Sequence, residues 1–155
     1  MLKPAILYKD EIERKFAEWL YTDEFYFYTG YAHANVPPVI EPSDNVYQYA
    51  IVNKDNLIGY FGYTVQPDTD CVYNFGWYSF EPGNTMVVTD VLRKMEELVR
   101  NYRRIEWKMI GGNKVEKYYR QFCEQHNGNC VVLHDVGKDA HGQYRDELIF
   151  EIVRR

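Results

Sequence analysis

Residues 71–110 read CVYNFGWYSFEPGNTMVVTDVLRKMEELVRNYRRIEWKMI, and the order of patterns inside this stretch decides the fold. Val88, Val91, Leu92, Met95, Leu98, Val99 and Tyr102 recur every three or four positions, while Arg93, Lys94, Glu96, Glu97 and Arg100 take the opposite face. That spacing predicts an amphipathic helix from Thr85 to Asn101. Cys71 to Phe80 before it and Arg104 to Ile110 after it are extended and β-prone. A strand, a helix and a strand in this order join parallel neighbours by a right-handed crossover. The sheet must therefore contain one parallel pair.

Upstream, Val46 to Asn53, a turn at Lys54-Asp55-Asn56, Leu57 to Val65, and a turn from Gln66 to Asp70 lead into Cys71. Three such runs predict an antiparallel meander. Downstream, Val115, Tyr118, Tyr119, Phe122, Cys123 and His126 share one side of a helix expected over Asn113 to Asn127. Asn113 with Glu116 resembles a capping box, and Gly128 fits the helix stop. Cys130 to Asp135 and Asp146 to Val153 then form a hairpin around Lys138-Asp139-Ala140-His141-Gly142. Near the start, Ile12, Phe16, Trp19 and Leu20 mark a helix from Asp10 to Leu20, followed by the aromatic stretch Tyr21 to Tyr31 and a loop from Ala34 to Asn45. The expected fold is α/β of the α+β kind. A mixed, mostly antiparallel central sheet with flanking helices makes a single domain over residues 1–155.

Composition agrees with one globular unit: 155 residues, 46% apolar and 26% charged. No run reaches the ~18 apolar residues of a membrane helix, and MLKPAILYKDEIERK lacks a signal peptide's apolar stretch, so a soluble, cytoplasmic protein is expected. Eighteen basic and 23 acidic side chains give a net charge of −5, which argues against nucleic acid as a partner. Cys71, Cys123 and Cys130 form no C-x-x-C pair and read as free thiols of a reducing compartment. His33, His126, His134 and His141 have no metal-ligand spacing, so no metal is expected. The fifteen tyrosines supply core area and phenolic hydroxyls but assign no activity by themselves.

Two stretches carry a resemblance to a known family. Arg104 to Ile110, followed by Gly112-Asn113 and a helix with Tyr118-Tyr119, is similar to the strand, asparagine and helical tyrosine of the GNAT-type N-acetyltransferases. Ser79-Phe80-Glu81-Pro82-Gly83-Asn84, leading into the Thr85 helix, falls where that family places its pyrophosphate loop. The resemblance covers Val46 to Val153 in layout. It implies a parallel strand pair that splays apart, acetyl-CoA as co-substrate, and a small-molecule or peptide amine as acceptor. A homodimer is compatible with it. The loop departs from the family's Q/R-x-x-G-x-G/A pattern: only Gly83 remains, and Met86 and Val87 stand where small residues open the backbone to phosphate. The family's tyrosine follows its asparagine by seven residues. Here Tyr119 follows Asn113 by six and is the preferred match, with Tyr118 as the alternative.

The resemblance implies direct attack of an amine on the thioester, which needs orientation and hydrogen-bond donors rather than a covalent nucleophile. It assigns Tyr119 as the acid that protonates the departing thiolate, and Glu81 as the group that takes the amine's proton. Phe80, Gly83, Asn84, Thr85, Asn113 and Tyr118 are the candidate coenzyme contacts, with backbone N–H groups freed by a bulge near Trp77 to Phe80 facing the thioester. Glu106 and Asp135 are further carboxylates for the base. Each residue also has an ordinary structural explanation. Tyr119 fits an apolar helix face, Asn113 and Asn84 fit helix caps, and Glu81 fits a solvated strand end. Phe25, Tyr26, Phe27, Tyr28 and Tyr31, with Asp23 and Glu24, read either as an acceptor wall or as packing for the first helix. Arg100, Arg103, Arg104 and Lys108 read as a solvated face that could also meet a coenzyme phosphate. The alternative to an enzyme is a GNAT-like binding or scaffold protein without catalysis.

Overall fold

The expected helix forms from Thr85 to Asn101, and the strand after it from Arg104 to Ile110, in a computed structural model that describes residues 1–19, 39–81, 83–139 and 141–154. In chain order the elements are β1 (Leu2–Pro4), α1 (Lys9–Trp19), β2 (Val46–Asn53), β3 (Asn56–Gln66), β4 (Cys71–Ser79), α2 (Thr85–Asn101), β5 (Arg104–Ile110), α3 (Glu116–Gln125), β6 (Asn129–Lys138) and β7 (Tyr144–Val153). They build a seven-stranded sheet in the order β1-β2-β3-β4-β5-β7-β6. β2, β3 and β4 are the antiparallel meander, β4 and β5 pair in parallel, and β5-β7-β6 is antiparallel again. β1 was not expected: three residues ending in Pro4 carry no period-2 pattern, yet Leu2 pairs with Ile51 at the sheet edge.

Each face of the sheet buries its own apolar set. Val87, Val91, Met95 and Leu98 of α2 and Phe122 of α3 pack with Phe61, Trp107 and Phe150 on one face. Ile12 and Phe16 of α1 pack with Ala50, Leu57, Tyr78 and Phe80 on the other. The alternation of β3 serves both layers, which is why its central residues are buried on either side.

The start and stop of α3 differ from the expected ones. Asn113 Oδ1 accepts from Val115 N–H at 3.2 Å, and Glu116 Oε2 accepts from Gly112 N–H at 2.8 Å, so the capping exchange is displaced by one residue. The helix then begins at Glu116 rather than Asn113. At its end the left-handed residue is Asn127, with φ 52°, not Gly128. Gly128 is needed for a different reason: a Cβ there would lie 2.5 Å from Glu151 O and 2.6 Å from Cys123 Sγ. Gly128→Ala is expected to cost about 1–3 kcal/mol, the range for overpacking, and thermal unfolding of the variant measures it.

Candidate active site

β4 and β5 separate partway along their length. Cys71 pairs with Arg104, Val72 with Ile105 and Phe75 with Trp107, and no pair follows. The cause lies in β4, where Tyr73 is opposite Thr64 but Gly76 is opposite Gly62, so β4 carries one extra residue. Asn74, at φ 49°, takes up the excess in the left-handed region that asparagine tolerates. This bulge sits ahead of the expected Trp77 to Phe80 position, and it reverses the alternation beyond it. Phe75 joins the face of α2 and α3, while Tyr78 and Phe80 turn to α1. Phe80 N–H donates to Ile58 O at 2.9 Å. Main-chain groups alternate along a strand, so the amides of Trp77 and Ser79 face the space β5 has left.

A cavity of about 600 Å³ occupies that space. Gly76 to Ser79 form one wall, Glu106 to Met109 the other, and the N-terminal ends of α2 and α3 close it from above with Gly83, Asn84, Thr85, Asn113, Lys114, Lys117, Tyr118 and Tyr119. Six of the eight expected site residues therefore line one cavity. Phe80 does not: its ring packs 5.4 Å from Phe16 and its amide is bonded to β3. Glu81 is exposed, accepts from Asn84 Nδ2 at 2.8 Å, and stands outside the cavity wall. The Asn74 bulge turns the Phe80 ring to the face of α1, and Glu81 lies beyond the end of β4.

Gly83 adopts φ 84°, and Asn84 caps α2 by accepting from Met86 N–H at 3.0 Å. Met86 is 44% exposed and Val87 is buried in the core. Asn113 is buried against the cavity, and the Lys117 ammonium lies 4.8 Å from the Tyr118 ring centroid. Tyr119 is 6% exposed, and the Trp77 indole N–H donates to its hydroxyl. Burial pushes the Tyr119 phenol far above its ordinary value, and the Trp77 hydrogen bond offsets only part of this. Glu106 is the carboxylate of the described cavity lining, and Arg104 Nη2 holds it at 2.6 Å while also meeting Glu151 at 3.0 Å.

Lys114 and Lys117 were not singled out from sequence. Their signal was position, directly after Asn113 at the start of a helix that borders the cleft. Burial pushes the Cys71 and Cys123 thiols up, which disfavours the thiolate form. Among the described residues no group of His, Cys, Asp and Glu could hold a metal ion, and no helix is long and apolar enough to cross a membrane. The aromatic stretch Phe25 to Tyr31, with Asp23 and Glu24, lies outside the described residues. All three tryptophans of the chain, Trp19, Trp77 and Trp107, line the cavity. A ligand entering it should change the intrinsic fluorescence saturably; an unchanged spectrum on titration would mean that the ligand binds elsewhere.

The mixed seven-stranded sheet with a forked parallel pair is the fold of the GNAT N-acetyltransferases. No family model matches the chain, and no curated protein matches it in sequence. Among solved structures it is similar to the microcin C7 self-immunity acetyltransferase MccE in complex with acetyl-CoA and AMP, with TM-score 0.63, 16% identity, and coverage of 99% of this chain and 91% of that one. It is also similar to a protein described as a phosphinothricin N-acetyltransferase, with TM-score 0.66 and 15% identity over 99% of this chain and 97% of that one. An acetyltransferase from Salmonella typhimurium that modifies the N-terminal serine of ribosomal protein L7/L12 matches with TM-score 0.52 and 14% identity, over 72% of this chain. The chain spans 66% of that protein's length. At such identities the likeness is one of fold.

Proposed function

We propose that the chain is a single-domain, cytoplasmic N-acetyltransferase that uses acetyl-CoA to acetylate a primary amine of a small molecule or peptide. The observation that carries this is the fork itself: unpaired β4 amides and the N-terminal ends of two helices converge on one cavity. Fold neighbours crystallised with CoA or acetyl-CoA support the choice of co-substrate. Three free cysteines fit a reducing cytoplasm.

Acetyl-CoA supplies an activated acyl group as a thioester. Amides of Trp77 and Ser79 grip the pantetheine arm and the thioester oxygen, where they oppose the negative charge that develops as the amine nitrogen bonds the carbonyl carbon. Gly83, Asn84 and Thr85 at the start of α2, with Lys114 and Lys117, hold the phosphates. Asn113 and Tyr118 border the arm. Glu106 takes the role first given to Glu81 and accepts the proton lost by the attacking amine. As the C–S bond breaks, the Tyr119 hydroxyl gives its proton to the thiolate and is reprotonated through solvent as Glu106 releases the proton taken from the amine, so the balance is one amide and one free thiol.

A scaffold reading keeps one supporting observation. Asn84's own side chain already occupies Met86 N–H, a donor that a phosphate would otherwise take. Thiol release from acetyl-CoA, followed over a panel of primary amines, separates the two. Acetylated product supports the enzyme. Absence of coenzyme binding, or binding without product on any amine, removes the enzyme and supports the scaffold. In the active protein, Glu106→Gln should lower turnover at neutral pH by about 10², recovering in part as pH rises and the free amine needs no base. A pH-independent loss would make Glu106 a structural ion-pair partner of Arg104.

A further inference from the structure

Four amides of the turn between β5 and α3 are taken up within the protein. Gly111 N–H donates to Asp146 O of β7 at 2.8 Å, Gly112 N–H to Glu116 Oε2 at 2.8 Å, Val115 N–H to Asn113 Oδ1 at 3.2 Å, and Glu116 N–H to Asn113 O at 3.0 Å. A carboxylate reaching back one turn therefore pins Gly112, whose φ of 86° lies in the left-handed region open to glycine. Glu116 is itself braced: Oε1 accepts from Arg120 Nε at 2.7 Å, and Arg120 Nη1 lies 3.7 Å from Cys130 Sγ on β6. Burial raises the Glu116 carboxyl, but the Gly112 amide and the Arg120 guanidinium outweigh it and hold the group below its ordinary value, despite the like charge of Asp146. Asn113 takes its direction from this turn. Val115 N–H can only donate, so it fixes the Asn113 side-chain oxygen and points the amide NH2 the other way. Asn113 is 8% exposed and lines the cavity, and among the described residues its NH2 has no hydrogen-bond partner. That nitrogen keeps accessible surface: the sealed side-chain atom without a partner among the described residues is Trp107 Nε1.

We propose that Glu116 is a positioning residue for the coenzyme: its carboxylate, braced by Arg120, locks the turn from Gly111 to Asn113 so that the Asn113 NH2 meets a carbonyl oxygen of the pantetheine arm. The inference rests on the acetyl-CoA reading above and adds to it a residue that does not touch the ligand. Glu116 is not part of the described cavity lining, so its influence passes through the turn. The arm carries two amide carbonyls, which are acceptors that an NH2 donor of fixed direction serves well. Without the carboxylate, Gly112 N–H is released and the turn samples other conformers. Binding then has to order the turn, and affinity falls.

A double-mutant cycle on acetyl-CoA affinity, measured by calorimetric titration of the full chain, tests this. Asn113→Asp keeps the acceptor for Val115 N–H and removes the NH2 donor, while Glu116→Ala removes the lock. Each alone should weaken acetyl-CoA binding by at least about tenfold, the worth of one net hydrogen bond. The double variant should bind no more weakly than Asn113→Asp alone. Glu116→Gln, whose amide oxygen still accepts from Gly112 N–H, should recover most of the wild-type affinity. At saturating acetyl-CoA the turnover of Glu116→Ala should stay within about twofold of the wild type, because the lock acts on binding and not on the reacting atoms. Losses that multiply in the double variant, or an unchanged affinity in Glu116→Ala with only a lowered melting temperature, would make Glu116 a helix cap. Either result overturns the inference and leaves the acetyl-CoA reading intact, whereas a wild type that binds no acetyl-CoA overturns both. Should Glu116→Ala not fold, Arg120→Gln replaces it in the cycle: loss of the brace should weaken binding by about threefold, in line with an exposed ion pair, and should have no effect in the Asn113→Asp background. An equal loss in both backgrounds overturns the inference.

Discussion

Tyr119→Phe should reduce acetyl transfer by roughly 10²–10⁴ and leave coenzyme affinity within a few-fold, because the change removes one proton donor and little volume. The ring's contacts with Trp107, Phe150 and Phe75 survive in the variant, and the loss of the acceptor for the Trp77 indole N–H should lower stability by about 1 kcal/mol. The pH dependence follows from the direction of its shift. Burial favours the neutral phenol, so Tyr119 stays protonated above the ordinary tyrosine value of 10.0, and the rate should show no alkaline fall attributable to it near that pH. In the unfolded chain the same phenol loses its proton near 10, so the stability it contributes is complete below that pH and declines above it. An alkaline fall in rate near pH 10 that disappears in Tyr119→Phe would show that the phenol titrates normally. Equal loss of stability and coenzyme binding in the variant would make Tyr119 a core residue only.

Phe150→Ala should be the most damaging single truncation. Phe150 is fully buried on β7, stacked on Trp107 and 5.8 Å from Tyr119, so its removal leaves a void beneath two site residues at once. Loss of a buried phenyl ring costs about 3–5 kcal/mol, against a total stability of roughly 5–15 kcal/mol for a domain. At about 2–4 °C per kcal/mol for a chain of this size, the melting temperature should fall by roughly 6–20 °C. Val131→Ala, at a residue 51% exposed on β6, is the matched control and should change stability by no more than about 0.5 kcal/mol. A loss below about 1 kcal/mol for Phe150→Ala would contradict the packing of the β5-β7 layer against α3.

The parts of the fold that were readable from sequence are those in which one period repeats long enough to outweigh local exceptions. α2 is legible because apolar residues recur through four turns, and the parallel β4-β5 step follows from the strands on either side of it. β1 escaped because three residues cannot show a period. The Asn74 bulge escaped because it is a single left-handed residue inside an extended run, although an asparagine between Tyr73 and Phe75 was a usable hint. That one residue turns the Phe80 ring toward α1 and away from the cavity, since an added residue turns every later side chain of the run to the other face. Gly83, Asn84, Thr85, Asn113, Tyr118 and Tyr119 were readable because each is tied to a helix start or face. Glu106 as the cavity carboxylate, and the bond between Trp77 and Tyr119, depend on how distant segments meet, and no local pattern encodes that.

The most direct test of the forked site is a crystal structure of the protein with acetyl-CoA. The pantetheine arm should lie between the Gly76 to Ser79 and Trp107 to Met109 segments, with Trp77 and Ser79 amides donating to it and its phosphates at the start of α2. A coenzyme bound outside this cleft, or a cleft that stays empty at millimolar coenzyme with β4 and β5 drawn together, would contradict the account.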